Sequence, residues 1–246
     1  MNNFIVVPAN DAEAVAIGEI LSRNGVEHAV TGQAWGASWE NLEPEIMAQV
    51  DNKILEGYAV YGVELQGDAP IGCVNIDHHK YDGDDRSNSL TSIEQISNLL
   101  GVELTAYERA VALNDKGYIP LMEEAGVPAE TISAVRLADR KAQGVTAEME
   151  EQAERACASK EVVGSLTIVR LPHSKTSTVC DRLYGQYENL LVLSADGETN
   201  FFGSGAVIAQ LQEKFGGWSG GQLPKTGFWG GYPNQDEVEA FVKASL

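Results

Sequence analysis

Three short apolar runs near the start of the chain are each followed closely by a carboxylate, and this limits the fold more than any other feature. Phe4-Ile5-Val6-Val7 ends at Pro8 and is followed by Asp11 and Glu13. The run at 57–63 ends at Glu64, and Cys73 to Ile76 leads directly into Asp77-His78-His79. Apolar runs of this length, bounded by turns, read as buried strands. Helical patterns separate them, one at about 13–23 with Val15, Ile17, Ile20 and Leu21 at helix spacing, another from Pro44 to Leu55. Alternation of strand and helix predicts a mainly parallel sheet flanked by helices. Sheets of that kind bind ligands just beyond the carboxyl ends of their strands. The acids and imidazoles stand at those ends. The competing reading is plainer: Asp11 and Glu13 cap a helix and offset its dipole, and Glu64 is a solvated strand-end acid.

Further along, 26–31 is expected as another strand. Thr105-Ala106-Tyr107-Glu108 is a capping-box pattern that opens a helix ending near Asp115. Helical patterns follow at about 128–142 and 147–158. The second is dense in Glu and Ala and reads as part of an exposed linker. The sequence therefore predicts an N-terminal α/β domain over 1–143, a helical linker over 144–162, and a smaller C-terminal α/β domain with a mixed sheet over 163–246. In that last domain strands are expected at 166–171 and 190–194, and helices at 175–183 and 206–215. The glycine-dense run 216–231 is expected as a loop. Glycines let backbone N–H groups approach a ligand, and successive N–H groups form an anion cradle. Lys225 adds a point charge suited to phosphate. The alternative is a loop whose glycines serve packing.

Charge and cysteine content narrow the function. The net charge of −19 leaves no broad basic surface for a nucleic-acid backbone, so long duplexes are not expected as partners. The three cysteines are odd in number and form no C-x-x-C, which fits reduced thiols and a cytoplasmic location. No apolar run approaches the ~20 residues that span a bilayer. Only four histidines are present, and two of them are adjacent at His78-His79.

Asp-His-His after a strand, an acidic pair after the first strand, a strand-end acid between them, an Asp after a later helix and a glycine-rich end resemble, in that order, the DHH phosphoesterase superfamily. The likeness spans nearly the whole chain. That family includes RecJ-like nucleases, oligoribonucleotide and cyclic-dinucleotide hydrolases, family II inorganic pyrophosphatases and exopolyphosphatases. The resemblance implies a first domain that holds two divalent ions, usually Mn²⁺ or Mg²⁺. A second domain then closes over the cleft with a glycine-rich loop. Carried over residue by residue, it implies Asp11, Glu13, Glu64, His78 and Asp115 as metal ligands. Asp77, His78 and His79 become catalytic, and His79, Gly220, Gly221, Gln222, Lys225 and Thr226 contact substrate.

The departures from the family pattern also carry information. Val7 stands where a first-motif His is usual, Glu13 and Glu64 where Asp is usual, and the glycine run contains no His. Glu13, Glu64, His78 and Asp115 still form a complete oxygen-and-nitrogen set. Asp11 and Glu64 alone would serve the other ion, so one good site and one weak or empty site are expected. The implied activity is a metal-dependent phosphohydrolase, exopolyphosphatase-like, acting on a small phosphorylated or nucleotide substrate in the interdomain cleft. The alternative is a catalytically weak or inactive DHH-fold protein that binds such a ligand. A homodimer is compatible with either.

Overall fold

Phe4, Ile5, Val6 and Val7 form the buried centre of β1 (Asn3–Pro8) in a computed structural model that describes residues 2–81 and 83–246. Strands β2 (Glu27–Thr31), β3 (Ala59–Val63) and β4 (Cys73–Ile76) join β1 in a parallel sheet of order β2-β1-β3-β4. The register pairs Val7 with Val30, Ile5 with Tyr61, and Val63 with Ile76. Helix α1 (Ala12–Arg23) links β1 to β2, and α2 (Pro44–Leu55) links β2 to β3. Parallel neighbours require such crossovers. The order reverses between β1 and β3, which makes their carboxyl ends the switch point where a ligand fits. A short pair, β5 (Lys80–Tyr81) and β6 (Asp84–Asp85), leads to α3 (Ser92–Leu100), α4 (Ala106–Glu124) and α5 (Ala129–Ala142).

Two compact units result, one up to Gly144 and one from Val145 onward. On one face of the first sheet, Phe4, Val6, Val60 and Leu65 pack with Ile46 and Val50 of α2 and with Trp39. Trp39 is buried, whereas Trp35 is 69% exposed. The Trp39 indole lies against Gly62 of β3 and donates from Nε1 to Asn75 Oδ1 at 2.6 Å. A Cβ on Gly62 would sit 2.2 Å from that ring, so glycine is a steric requirement here.

The second unit begins with α6 (Ala147–Ala158), followed by β7 (Glu161–Val163), β8 (Leu166–Leu171), α7 (Ser177–Leu183), β9 (Asn189–Ser194) and β10 (Thr199–Ser204). Then come α8 (Gly205–Phe215), β11 (Trp218–Gly220), β12 (Thr226–Gly231) and α9 (Gln235–Ser245). The sheet is mixed, in the order β11-β12-β10-β9-β8-β7, and β8–β9 is its parallel pair. Leu191, Phe201 and Trp229 pack on one face with α8 and α9, while Leu190 and Val192 pack on the other with α6 and α7.

Two expectations change. The helix expected in an exposed linker is α6, and it buries Ala153, Ala156 and Cys157 in the second core. Small residues at i, i+3 and i+4 form a stripe too narrow to stand out beside so many glutamates. The glycine run expected as a loop is instead the β11–β12 hairpin. Among the described residues, no helix is long and apolar enough to cross a membrane.

Gly62→Ala is expected to destabilise the first unit by about 1–3 kcal/mol through overpacking against Trp39. Urea unfolding followed by Trp fluorescence would show a lower midpoint with an unchanged slope.

Candidate metal centre

Each strand end of the first sheet places an acid by a different local device. Asp11 caps α1, with Oδ1 accepting from the Ala14 N–H at 2.8 Å. Glu13 lies in the first turn of α1 yet is only 2% exposed, and its Oε1 accepts from the Ile93 N–H at 3.0 Å. Glu64 follows β3 with φ at +50°, a left-handed conformation that costs a non-glycine residue about 1–2 kcal/mol. Its Oε1 accepts from the Ser92 hydroxyl at 2.8 Å. Glu13 and Glu64 thus meet at the N-terminus of α3, whose dipole favours negative charge. Asp115 sits where α4 breaks, just before Gly117 and Tyr118 leave helical dihedrals.

These acids converge on one imidazole. His78 Nε2 lies 2.7 Å from Asp115 Oδ2, 3.5 Å from Glu64 Oε1 and 3.9 Å from Glu13 Oε2. Even so, Glu13 Oε2, His78 Nε2 and Asp115 Oδ2 are buried and make no well-directed hydrogen bond among the described residues. The short His78–Asp115 approach is an attraction of charge without hydrogen-bond geometry. Buried polar atoms are nearly always satisfied, so three orphans at one point call for a missing partner. The ligand atoms of Glu13, His78 and Asp115 lie within 4.8 Å of one another, as do those of Glu64, His78 and His79. Hard oxygen donors with an imidazole fit a divalent cation.

The electrostatics agree. Burial, reinforced by Asp115 and Glu64, pushes the Glu13 carboxyl well above its usual range. Burial and Glu64 raise Asp11 to about 7. Burial would lower His78, but Asp115 and Glu64 outweigh it and raise its pKa to about 10. Burial would raise Glu64, but His78 and His79 hold it below its usual value. Left to itself, the cluster must take up protons to offset its own negative charge.

The expected site residues sort into two groups. Glu13, Glu64, His78, His79 and Asp115 come together. Asp11 is not in either close group and spends one oxygen as the α1 cap. Asp77, expected as catalytic, has both oxygens engaged. Its Oδ1 accepts from the His78 and His79 N–H groups at 2.8 and 2.9 Å and contacts His79 Nδ1 at 3.1 Å. Its Oδ2 accepts from the Tyr81 hydroxyl at 3.0 Å and from Arg86 at 3.4 Å. Asp77 therefore orients His79. His79 stacks on His78 with centroids 4.2 Å apart and keeps a third of its side chain open.

Gly220, Gly221, Gln222, Lys225 and Thr226 belong to the hairpin of the second unit. The Lys225 and Thr226 N–H groups are spent on Gln222 O, at 3.0 and 3.4 Å, which removes them from any anion cradle. Gly227 is glycine because a Cβ would meet Gly220 O at 2.1 Å.

Several supporting residues carry no distinctive sequence signal. Arg86 donates to Leu65 O at 2.8 Å and Gly67 O at 2.6 Å, tying the segment after Glu64 to Asp77. Buried Arg136 donates to Asn114 Oδ1 at 2.9 Å and Asp139 Oδ2 at 2.8 Å. Asp139 Oδ1 accepts from the Ala12 N–H at 3.2 Å, which links α5 to the start of α1. In sequence, Arg136 and Asp139 look like an ordinary surface i,i+3 pair. Ser92 does leave a trace, since Thr91-Ser92 marks a helix start.

Glu13→Gln is expected to raise the melting temperature in EDTA by about 2–4 °C, because a neutral amide avoids the cost of the buried acid. The same change should abolish the rise that Mn²⁺ gives the native chain. A native chain indifferent to Mn²⁺ in a thermal scan would count against the centre.

No protein-family model matches the sequence, and no curated protein does. Solved structures do match. The DHH domain of a member of the s1p family of ribosomal proteins aligns with a TM-score of 0.55 at 14% identity, covering 100% of this chain and 86% of that one. The pGpG-specific phosphodiesterase PggH from Vibrio cholerae aligns with a TM-score of 0.47 at 12% identity, covering 100% of this chain and 98% of that one. Identities of this size speak for architecture alone, and on the match to the ribosomal-family DHH domain the chain is a DHH-fold protein.

Proposed function

We propose that the first unit is the centre of a divalent-metal-dependent phosphohydrolase acting on a small phosphorylated or nucleotide substrate. The observation that carries this reading is the convergence of Glu13, Glu64, His78 and Asp115, with three buried polar atoms left unpartnered. Those four side chains would hold the ion, and their donor set suits Mn²⁺ or Mg²⁺. A bound ion supplies positive charge for the phosphoryl oxygens and acidifies water into a nucleophile at neutral pH. The chain's own groups do the rest. Asp77 grips Nδ1 of His79 and fixes the ring's direction, while Tyr81 and Arg86 fix Asp77. Asp77 also holds the His79 pKa above its ordinary value, against the effect of burial, which keeps a charged donor ready for a phosphoryl oxygen.

A second reading rests on its own observation. Val7 is 1% exposed in β1, and an alkyl side chain there cannot ligate. With one Asp11 oxygen spent as a cap, a second ion would have few ligands left. On this reading the chain binds a nucleotide or phosphorylated ligand without turning it over.

Hydrolysis of bis-p-nitrophenyl phosphate, pyrophosphate and short oligonucleotides separates the two. The expected result is Mn²⁺-dependent turnover that falls by ~10²-fold or more in His78→Ala. Inactivity on every substrate, with nucleotide binding seen by calorimetry, would instead establish the binder. Tight uptake of two equivalents of Mn²⁺ would refute the single complete site.

A further inference from the structure

We propose that the buried pair Arg136–Asp139 on α5 is a positioning device for the metal centre, holding the two chain segments that carry Glu13 and Asp115 at the spacing an ion requires. This deepens the function proposed above, and it rests on that reading only for the existence of the ion site.

Glu13 and Asp115 lie far apart in sequence, in the first turn of α1 and just before the break in α4. Their ligand atoms nonetheless fall in one close group. The residue just before each ligand shows how. Asp139 Oδ1 accepts from the N–H of Ala12, which precedes Glu13, at 3.2 Å. Arg136 Nη1 donates to Oδ1 of Asn114, which precedes Asp115, at 2.9 Å. The same nitrogen donates to Asp139 Oδ2 at 2.8 Å and closes the link. One i,i+3 ion pair thereby ties down both segments one residue short of the ligands. Neither member of the pair belongs to a close group of possible ligands.

The same guanidinium also holds the far side of the break. Tyr118 has φ +58° and ψ −154°, a strained conformation for a residue with a side chain. Such conformations persist only where their surroundings over-determine them. The Arg136 guanidinium carbon lies 4.5 Å from the centroid of the Tyr118 ring, a cation–π contact. Gly117 is confined as well, since a Cβ there would meet Leu121 Cβ at 2.7 Å. Arg136 thus grips α4 at Asn114 before the break and at Tyr118 within it, with Asp115 between.

Stability alone does not account for the pair. Arg136 and Asp139 are 7% and 6% exposed, and a buried ion pair spends most of its attraction on desolvation. Apolar residues of similar volume often serve a core as well or better. The pair supplies what apolar packing cannot, which is directed bonds to two specified groups. Metal affinity depends on such partners behind the ligands. If the pair merely fastened α5 to the unit, metal affinity would follow stability and nothing else.

The test titrates the full chain with Mn²⁺, reads the unbound ion by electron paramagnetic resonance, and records melting temperatures in EDTA. Asn114→Ala removes the acceptor on α4 and leaves the Arg136–Asp139 pair in place. It is expected to weaken Mn²⁺ binding at least about 10-fold. Arg136→Lys keeps the charge but loses the planar group over Tyr118, and it is expected to weaken binding similarly. Val135→Ala is the control, because Val135 is fully buried on the same helix and makes none of these bonds. It should lower the melting temperature and leave Mn²⁺ affinity within about 2-fold of native. Native affinity in both Asn114→Ala and Arg136→Lys would overturn the positioning role. So would a loss of affinity in all three variants that tracks their melting temperatures. Either result alongside Mn²⁺-dependent pyrophosphate hydrolysis by the native chain would leave the hydrolase standing. Mn²⁺ binding that depends on Asn114 and Arg136, without turnover of any substrate, would support the device and remove the hydrolase. A native chain that takes up no Mn²⁺ would overturn both.

Discussion

Three carboxylates crowded around one half-buried imidazole set the terms for the first unit. Like charges out of water repel strongly, and the fold relieves this only in part. The α3 N-terminus donates to Glu13 and Glu64, and burial with neighbouring acids pushes the Glu13 carboxyl up, while Asp115 and Glu64 raise His78. Glu64 accepts a left-handed backbone conformation to stay in place. Strain and desolvation gathered at one point are costs that a stable core must outweigh, and they persist where a function needs them. The buried sheet centre of Phe4 to Val7 and the Trp39–Gly62 contact provide that core.

Much of this was legible because strong local patterns and tertiary context agree. Phe4 to Val7 and Cys73 to Ile76 read as strands, and they are strands. Acids at strand ends converge because a parallel sheet with a switch point brings consecutive strand ends together. Glu64 could thus be named before any coordinates, whereas Asp115 stands near a helix break and is named from the family resemblance. Other features became visible only in the hydrogen bonding. Asp11 gives one oxygen to the free N–H groups of α1, a role the sequence also offered it. Asp77 stands in the motif as one acid among others, and no pattern in sequence distinguishes an acid that ligates from one that holds its neighbour.

The second unit was harder to read for a different reason. Thr199–Ser204 has apolar Phe201 and Phe202 between polar and glycine neighbours, so nothing local says strand. Its pairing with β9 and β12 decides the matter. The hairpin glycines look like loop punctuation in sequence. Gly217, whose Cβ would meet Gly230 O at 2.2 Å, and Gly227 show instead that two backbones approach closely. Glycine density signalled close approach correctly; what approaches is another strand.

An acidic protein that takes a phosphorylated ligand must reverse its own field where the ligand sits. A net charge of −19 repels every phosphate at long range, though salt shortens that range to about 8–10 Å. The two units lay out charge in opposite ways. The first concentrates carboxylates and imidazoles into a set that could hold a divalent cation, which would supply positive charge there. The second withholds acids altogether from Lys214 to Gln235 and leaves aromatic faces and a lysine. Neither device needs a broad basic surface.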